Sequence, residues 1–390
     1  MASSDIYLDN NATTFLLPEV RHAMNAALNM DLGNPSSAHN AGHTARVLLR
    51  RARGHVAGLM KVEPEQIVFT SGGTEANVAV LLSLLRQTPK RRLVTTTIEH
   101  SSIIQSAKLL ETEGVEVVWL SPSTDGEINP AEVEHVLRDG ENSFVSIQWV
   151  NNETGVLQDI EAMSRVCHSY GALLHTDAAQ ALGKIPLQNI SDTDFVTVTA
   201  HKLHGPKGVG ALWVKNPGSI SPLLQGGAQE KSIRPGTENL LGVVGFGTAA
   251  ENRLKNLDNI MKRLRILRDR FETEIKTALP WIKINGIGAQ RVCNTTNIRF
   301  CGIDGQGLMA QLDGQGIYCS QSSACNNARL EPSHVLRAMG LTEEEAYESV
   351  RFSFSELNND AEIDRAVESI TAISVKLRNI GGVNKAFGEA

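Results

Sequence analysis

Four short stretches carry residue types that could do chemistry together. SGGTEAN, at positions 71–77, follows the apolar run IVFT and opens a helical pattern. Its glycines let a backbone approach a ligand, and a helix N-terminus offers unpaired N–H groups, so Gly73 and Thr74 make a candidate phosphate cradle. The stretch has neither the lysine of a nucleotide-triphosphate loop nor the third glycine of a dinucleotide fingerprint, which argues against both ligands. LLHTDAAQ, at 173–180, places Asp177 and Gln180 at the end of a strand pattern, the edge at which open α/β sheets bind ligands. TAHKLHGPKGVG, at 199–210, puts Lys202 just past another strand, with Thr199 and His201 beside it. A Schiff-base lysine needs such a crowded, partly desolvated setting to lower its pKa. Last, SSACNNARLEPSHV, at 322–335, sets Cys325 among serines and asparagines. Unpaired cysteine usually packs inside, so a thiol in a polar loop is either accidental or wanted for its reactivity.

Each of these taken singly also has a plain structural role: a Gly-Gly turn before a helix, a helix-capping aspartate, a solvated loop lysine. Their combination is more specific. A phosphate cradle, a carboxylate able to keep a pyridine nitrogen protonated and a lysine able to form a Schiff base, in that order, are what pyridoxal phosphate requires.

These residues must be positioned by a framework, and the chain supplies one. Seven apolar, β-branched runs (IVFT at 67–70, RLVTTT at 92–97, VEVVWL at 115–120, FVSIQWV at 144–150, ALLHTD at 172–177, FVTVTA at 195–200 and GALWV at 210–214) alternate with helical patterns at 75–85, 102–113 and 160–170. Such alternation predicts an α/β fold with a buried, mostly parallel seven-stranded sheet, because parallel strands need helical crossovers. A Pro18-led helix precedes it. From about Glu238 a long helical stretch runs to about Ala278, then a short α+β block with NTTNIRF, YCSQSSAC and VRFSF as candidate strands. The expected division is a large domain at 16–259 and a small one built from 1–15 and 260–390.

With 390 residues the chain is long enough for two to three domains and a buried site. Its net charge of −6, with few dense basic runs, argues against nucleic acid or an anionic membrane as a partner. The opening MASSDIYLDNNATT has no basic, apolar leader and no apolar run reaches bilayer length, which reads as cytoplasmic. Five cysteines, Cys167, Cys293, Cys301, Cys319 and Cys325, contain no C-x-x-C pair and no histidine at zinc spacing, so disulfides and a metal site are not expected.

The stretches YLDNNATT, GNPSSAH, TSGGTEAN, IEHSSI, VNNETGVLQDI, HTDAAQALGK, HKLHGPKGVGAL, RPGTENL and SSACNNARLEPSHVLRAMGL together resemble the class I cysteine desulfurases. These are fold type I pyridoxal phosphate enzymes of the class V aminotransferase family, and the resemblance covers almost the whole chain. It implies conversion of L-cysteine to L-alanine, with Cys325 as the nucleophile that keeps the sulfur as a persulfide. It further implies a Schiff base at Lys202, His100 stacked on the cofactor ring and moving protons, and Asp177 on the ring nitrogen. Asn152 and Gln180 would lie around the ring oxygen and substrate, and Gly73, Thr74, Thr199 and His201 around the phosphate. Thr237 would reach the phosphate site of a neighbouring subunit, implying a homodimer, and Asn34 and Arg351 would fix the substrate carboxylate. The acceptor implied is a protein such as an iron-sulfur scaffold. The sequence departs from the family's common pattern in RFSFSELNN after Arg351, and at Asn326, Asn327 and Arg329. Selenocysteine lyase activity, an aminotransferase or other lyase, and an idle binding partner on the same scaffold are the competing readings.

Overall fold

The computed structural model describes residues 5–84, 92–139, 142–187, 190–321 and 331–380. Its strands are β1 (Ile6–Tyr7), β2 (Ile67–Thr70), β3 (Arg92–Thr96), β4 (Val117–Leu120), β5 (Ser143–Ser146), β6 (Leu173–Asp177), β7 (Phe195–Thr199), β8 (Gly210–Val214), β9 (Lys283–Ile284), β10 (Thr295–Arg299), β11 (Ile317–Tyr318) and β12 (Ser349–Ser353). Its helices are α1 (Pro18–Leu28), α2 (Asn40–Met60), α3 (Gly73–Ser83), α4 (Ser101–Thr112), α5 (Pro130–Arg138), α6 (Ile160–Ser169), α7 (Leu240–Ala278), α8 (Gly305–Asp313), α9 (His334–Ala338), α10 (Glu343–Tyr347) and α11 (Asp360–Ile380).

All seven expected runs enter one sheet, in the order β2-β8-β7-β6-β5-β3-β4. The pairs β4-β3, β3-β5, β5-β6 and β6-β7 are parallel. β8 runs antiparallel to both β7 and β2. The cause lies in the connection: only residues 200–209 separate β7 from β8, and this Gly/Pro-rich turn is too short for the helical crossover a parallel pair needs. Because β2 and β7 both oppose β8, β2 points the same way as the parallel strands, and the C-terminal ends of β2, β3, β5, β6 and β7 share one edge.

Strand side chains alternate between two apolar layers: Val196 and Val198 of β7 join the larger cluster, and Phe195 joins the cluster under α3 and α4. α1, expected from its Pro18 start, packs against α7, as does α2. α7 runs 39 residues without a break, through the expected boundary at 259/260. Beyond it, β9, β10 and β12 form an antiparallel sheet, and the expected strands NTTNIRF and VRFSF become β10 and β12. Of YCSQSSAC only Tyr318 is in a strand, β11, which pairs with β1; 322–325 fall outside the described residues. The N-terminal segment is sewn to this C-terminal sheet, with Ser353 N–H donating to Leu8 O and Asn10 Nδ2 donating to Ser353 O.

Candidate active site

The shared strand edge opens into a cavity of about 230 Å³. On one side the chain leaves β2, turns through Ser71 and Gly72, and enters α3 at Gly73. A Cβ on Gly210 would stand 2.8 Å from the Gly72 backbone, so this glycine is what lets the α3 N-terminus lie against β8. No side chain caps that end of α3. Its first N–H groups therefore face an adjoining recess lined by Thr13, Gly73, Thr74, Thr199, His201 and Lys207, a natural anion site.

Asp177, the last residue of β6, lies in the cavity wall and is only 8% exposed. Its Oδ1 accepts from Ala179 N at 2.9 Å and its Oδ2 from Asn77 Nδ2 at 2.7 Å. Asn77 Nδ2 also donates to Ser102 Oγ at 3.0 Å, and Ser102 Oγ lies 2.8 Å from His100 Nδ1. Since Ser102 N–H donates to the same Nδ1, that nitrogen is an acceptor and the proton of a neutral His100 sits on Nε2. Burial pushes the His100 pKa down, with Asp177 opposing and Lys202 and His334 adding to the shift, which keeps the ring neutral at pH 7.

Lys202 closes the single-turn helix after β7. Its Nζ donates to the backbone carbonyls of Asn11 at 2.5 Å and Ala12 at 2.8 Å. His201, with Nδ1 3.2 Å from Thr13 Oγ1, is brought down to about 3 by burial, then by the charges of Lys202 and Lys207. Gln180 Nε2 donates to Asn11 O at 2.9 Å. Behind it the fully buried Lys184 donates to Gln180 Oε1 at 2.5 Å and Asn11 Oδ1 at 2.9 Å, and burial holds its pKa well below the usual lysine range.

Gly73, Thr74, His100, Asn152, Asp177, Gln180, Thr199, His201, Lys202 and Arg351 are thus brought together around one cavity. Arg351 was expected as a fork for a carboxylate, and it already holds one: Nη2 donates to Asp9 Oδ1 at 2.7 Å and Nη1 to Asn152 O at 3.0 Å, while its buried Nε has no hydrogen-bond partner. Asn34 does not line the cavity; it is exposed, its Oδ1 accepting from Ser36 N. Thr237 lines a separate recess with Glu230 and Arg234, behind Ser71. Cys325 lies outside the described residues. Among the other cysteines, burial pushes Cys167 up to about 12 and also raises Cys293 and Cys319, which suits packing thiols rather than nucleophiles.

The motif reading passed over Asn11, Asn77, Gln148, Glu99 and Lys184. One of these had a signal: Asn77 is three residues after Thr74, the spacing that puts helical side chains on one face. Glu99 carried none, since its role depends on a contact across strands. Its carboxylate accepts from Thr96 Oγ1 and Gln148 N, and burial raises its pKa to about 8.

The donor set fits pyridoxal phosphate: uncapped helix N–H groups and two hydroxyls for a phosphate, a buried carboxylate for a ring nitrogen, and an amine at the same cavity. No group of histidine, cysteine or carboxylate side chains suited to a metal ion occurs among the described residues, nor is any helix there long and apolar enough to cross a membrane.

The aminotransferase class-V family model matches residues 6–366. A cysteine desulfurase of Trichormus azollae is 44% identical over 96% of this chain and 94% of its own length. The cysteine desulfurase NifS of Azotobacter vinelandii is 38% identical over 97% of this chain and 94% of its own. Among solved structures, a NifS-like protein superposes with a TM-score of 0.87 at 32% identity, covering 96% of this chain and all of that one.

Proposed function

The chain belongs to the aminotransferase class-V family, and on that premise we propose that it is a pyridoxal-phosphate-dependent cysteine desulfurase. It takes sulfur from L-cysteine, leaves L-alanine, and hands the sulfur through a persulfide on Cys325 to an acceptor. The observation that carries this reading is the convergence of Lys202, Asp177 and the uncapped α3 N-terminus on one cavity.

Gly73 and Thr74 N–H groups bind the phosphate, with Thr199 and a neutral His201 as hydrogen-bond partners. Asp177, fixed by Asn77 and Ala179, keeps the ring nitrogen protonated. The bound cofactor supplies an electron sink for the pair left on the substrate carbon. Lys202 Nζ holds the cofactor in the resting enzyme and then takes the substrate Cα proton. His100, a donor at Nε2, orients the ring and moves protons beside it. Arg351 fixes the substrate carboxylate from the cavity wall. In the overall change the Cβ–S bond of L-cysteine breaks with its pair left on Cβ, an S–S bond forms on Cys325 as its thiol gives up a proton, and Cβ takes up one proton.

The reading extends to a cytoplasmic homodimer in which Thr237 completes the partner's phosphate site, with a large domain at 16–259 and a small one from 1–15 and 260–390. The acceptor is a protein of iron-sulfur or thio-cofactor assembly. The deciding experiment is Cys325→Ser. The variant should keep its cofactor colour and bind L-cysteine, but lose at least about 100-fold in alanine formation, the order one positioned nucleophile supplies. Wild-type protein briefly exposed to L-cysteine should gain one reducible sulfur on the Cys325 peptide. Sulfur on Cys301 or Cys319 instead, or full activity in Cys325→Ser, would refute the assignment.

A further inference from the structure

Gln180 lines the cavity with an amide, and an amide has two unlike ends, a carbonyl that accepts and an NH2 that donates. Which end it offers is decided by its neighbours. Its Nε2 donates to Asn11 O at 2.9 Å, and its Oε1 accepts from Lys184 Nζ at 2.5 Å. Turned the other way round, the amide would set oxygen against oxygen at Asn11 and N–H against N–H at Lys184, so both contacts select one orientation. Lys184 reaches this place through the turn after β6. Gly183 takes φ +73° and Lys184 N–H donates to Ala181 O at 3.0 Å, which folds the chain back and sends the lysine inward. There it is 5% exposed, and the cationic side chains of Lys202, Arg253 and Arg351 act against its charge. A lysine buried in such surroundings is costly, and a methionine would fill similar space without that cost. What methionine lacks is a donor. A neutral lysine amine has two N–H groups, and their contacts, with Gln180 Oε1 and with Asn11 Oδ1 at 2.9 Å, hold two residues of the cavity wall.

We propose that Lys184 is a positioning residue that fixes the polarity of Gln180, so that the ring oxygen of the bound cofactor meets an N–H of that amide and not its carbonyl. One Nε2 hydrogen is engaged by Asn11 O and Oε1 is held by Lys184, so the second Nε2 hydrogen is what Gln180 has left to offer. The proposal rests on the reading that Lys202 carries the cofactor and that Gln180 lies beside its ring oxygen. Its consequence has a definite sign. When the imine between Lys202 and the cofactor loses its proton, the ring oxygen keeps a negative charge with no positive neighbour on the imine, and a hydrogen-bond donor favours that charged form. Gln180 held as a donor therefore lowers the pH at which the imine gives up its proton. Lys184 does not itself line the cavity, so its effect passes through Gln180.

The test is a pH titration of the holoenzyme without substrate, in which the visible absorption of the bound cofactor reports the proton on the imine. Gln180→Leu, which removes the donor, should raise the midpoint by about one pH unit, the scale of one hydrogen bond to a charged group. Lys184→Met should raise it in the same direction by at least about half a unit. The double variant should titrate like Gln180→Leu alone, because Lys184 then has nothing left to orient. His100, Asp177, His201 and Arg351, the other titratable and charged groups of the cavity wall, stay in place in every variant. Lys184→Gln removes the charge but keeps an N–H donor, and its midpoint should lie nearer to wild type than to Gln180→Leu. That variant decides the matter where Lys184→Met does not fold, since a midpoint at or above that of Gln180→Leu would assign the effect to charge. An unchanged midpoint in Lys184→Met, or a shift that persists in full on the Gln180→Leu background, would overturn the proposal. An unchanged midpoint in Gln180→Leu, or a wild-type enzyme with no imine at Lys202, would instead overturn the reading beneath it.

Discussion

Around Lys202 the basic groups are held by neutral oxygens: Lys202 by the carbonyls of Asn11 and Ala12, Lys184 by two amide oxygens, His201 by the Thr13 hydroxyl. Two residues further along, His204 meets the opposite surroundings. Its Nε2 lies 3.1 Å from Glu356 Oε2, and the nearly buried Arg253 reaches both oxygens of the same carboxylate at 2.7 and 2.8 Å. Neutral oxygens do not repay the desolvation of a charge, so His201 and Lys184 are driven toward their neutral forms. For Glu356, burial by itself would raise the pKa, but the hydrogen bond from His204 and the charge of Arg253 outweigh it and hold the carboxyl to about 2. Charge is retained where it clamps α7, the 204 turn and the segment after β12 together, and withheld where an uncharged base is of use.

The sharpest way to break this contrast is Lys202→Ala. Among the described residues Lys202 is the one lysine that lines the cavity, so covalent attachment of the cofactor should vanish and turnover fall to background. Borohydride reduction followed by peptide mapping checks it, and an adduct on Lys184 or Lys207 would show that the neutral region was misassigned.

Glu356→Gln attacks the charged region. It leaves Arg253, 3% exposed, without its counter-charge, which should cost about 3–5 kcal/mol in unfolding free energy measured by denaturant titration. The pH dependence has a definite sign. Glu356 is depressed from 4.5 to about 2, so its contribution is complete above pH 4.5 and disappears as pH falls toward 2. The variant should lose that part of the acid limb, and an unchanged acid limb would mean the cluster does not hold its charge.

Asp177→Asn tests the one carboxylate that lines the cavity among the described residues. Its geometry toward Asn77 can persist while the charge is gone, so kcat should fall about 100-fold or more with cofactor still bound, the usual loss for one preorganised electrostatic partner. A loss confined to cofactor affinity would reduce Asp177 to a tether.

The smallest effect is expected from Lys184→Met. A buried lysine with a depressed pKa takes up a proton on unfolding, so it makes stability fall as pH drops from the usual lysine range. Methionine removes the titration, and the rise of Tm with pH below the usual lysine range should flatten in the variant. An identical slope would place the charge of Lys184 in the folded state.

The sheet could be read from the chain because seven β-branched runs separated by helical patterns leave few alternatives, and the placement of Asp177 and Lys202 at the cavity could be read because one ends a strand and the other closes the turn just after one at the binding edge. Direction of β8 was less visible, since it depends on the length of the 200–209 turn and not on any strand residue. Lys184 and Glu99 escaped for a different reason. Sequence spacing reports neighbours along an element, while their roles come from carbonyls and amides contributed by Asn11 and Gln148, far away in the chain. Arg351 was singled out as a carboxylate fork, but its ion pair with Asp9, 342 residues earlier, has no local trace.

That pairing of the first residues with the last strand has a consequence in time. The carbonyls of Asn11 and Ala12 that hold Lys202 belong to a segment fastened by Thr295, Arg351 and Ser353. On a ribosome, Asn11 is made early and Ser353 some 342 positions later. At roughly 5–20 residues per second the opening segment waits about 17–70 s for its partners. A nascent chain can lay down β2 through β8 in that interval, but the cradle of the lysine closes only near the end of synthesis.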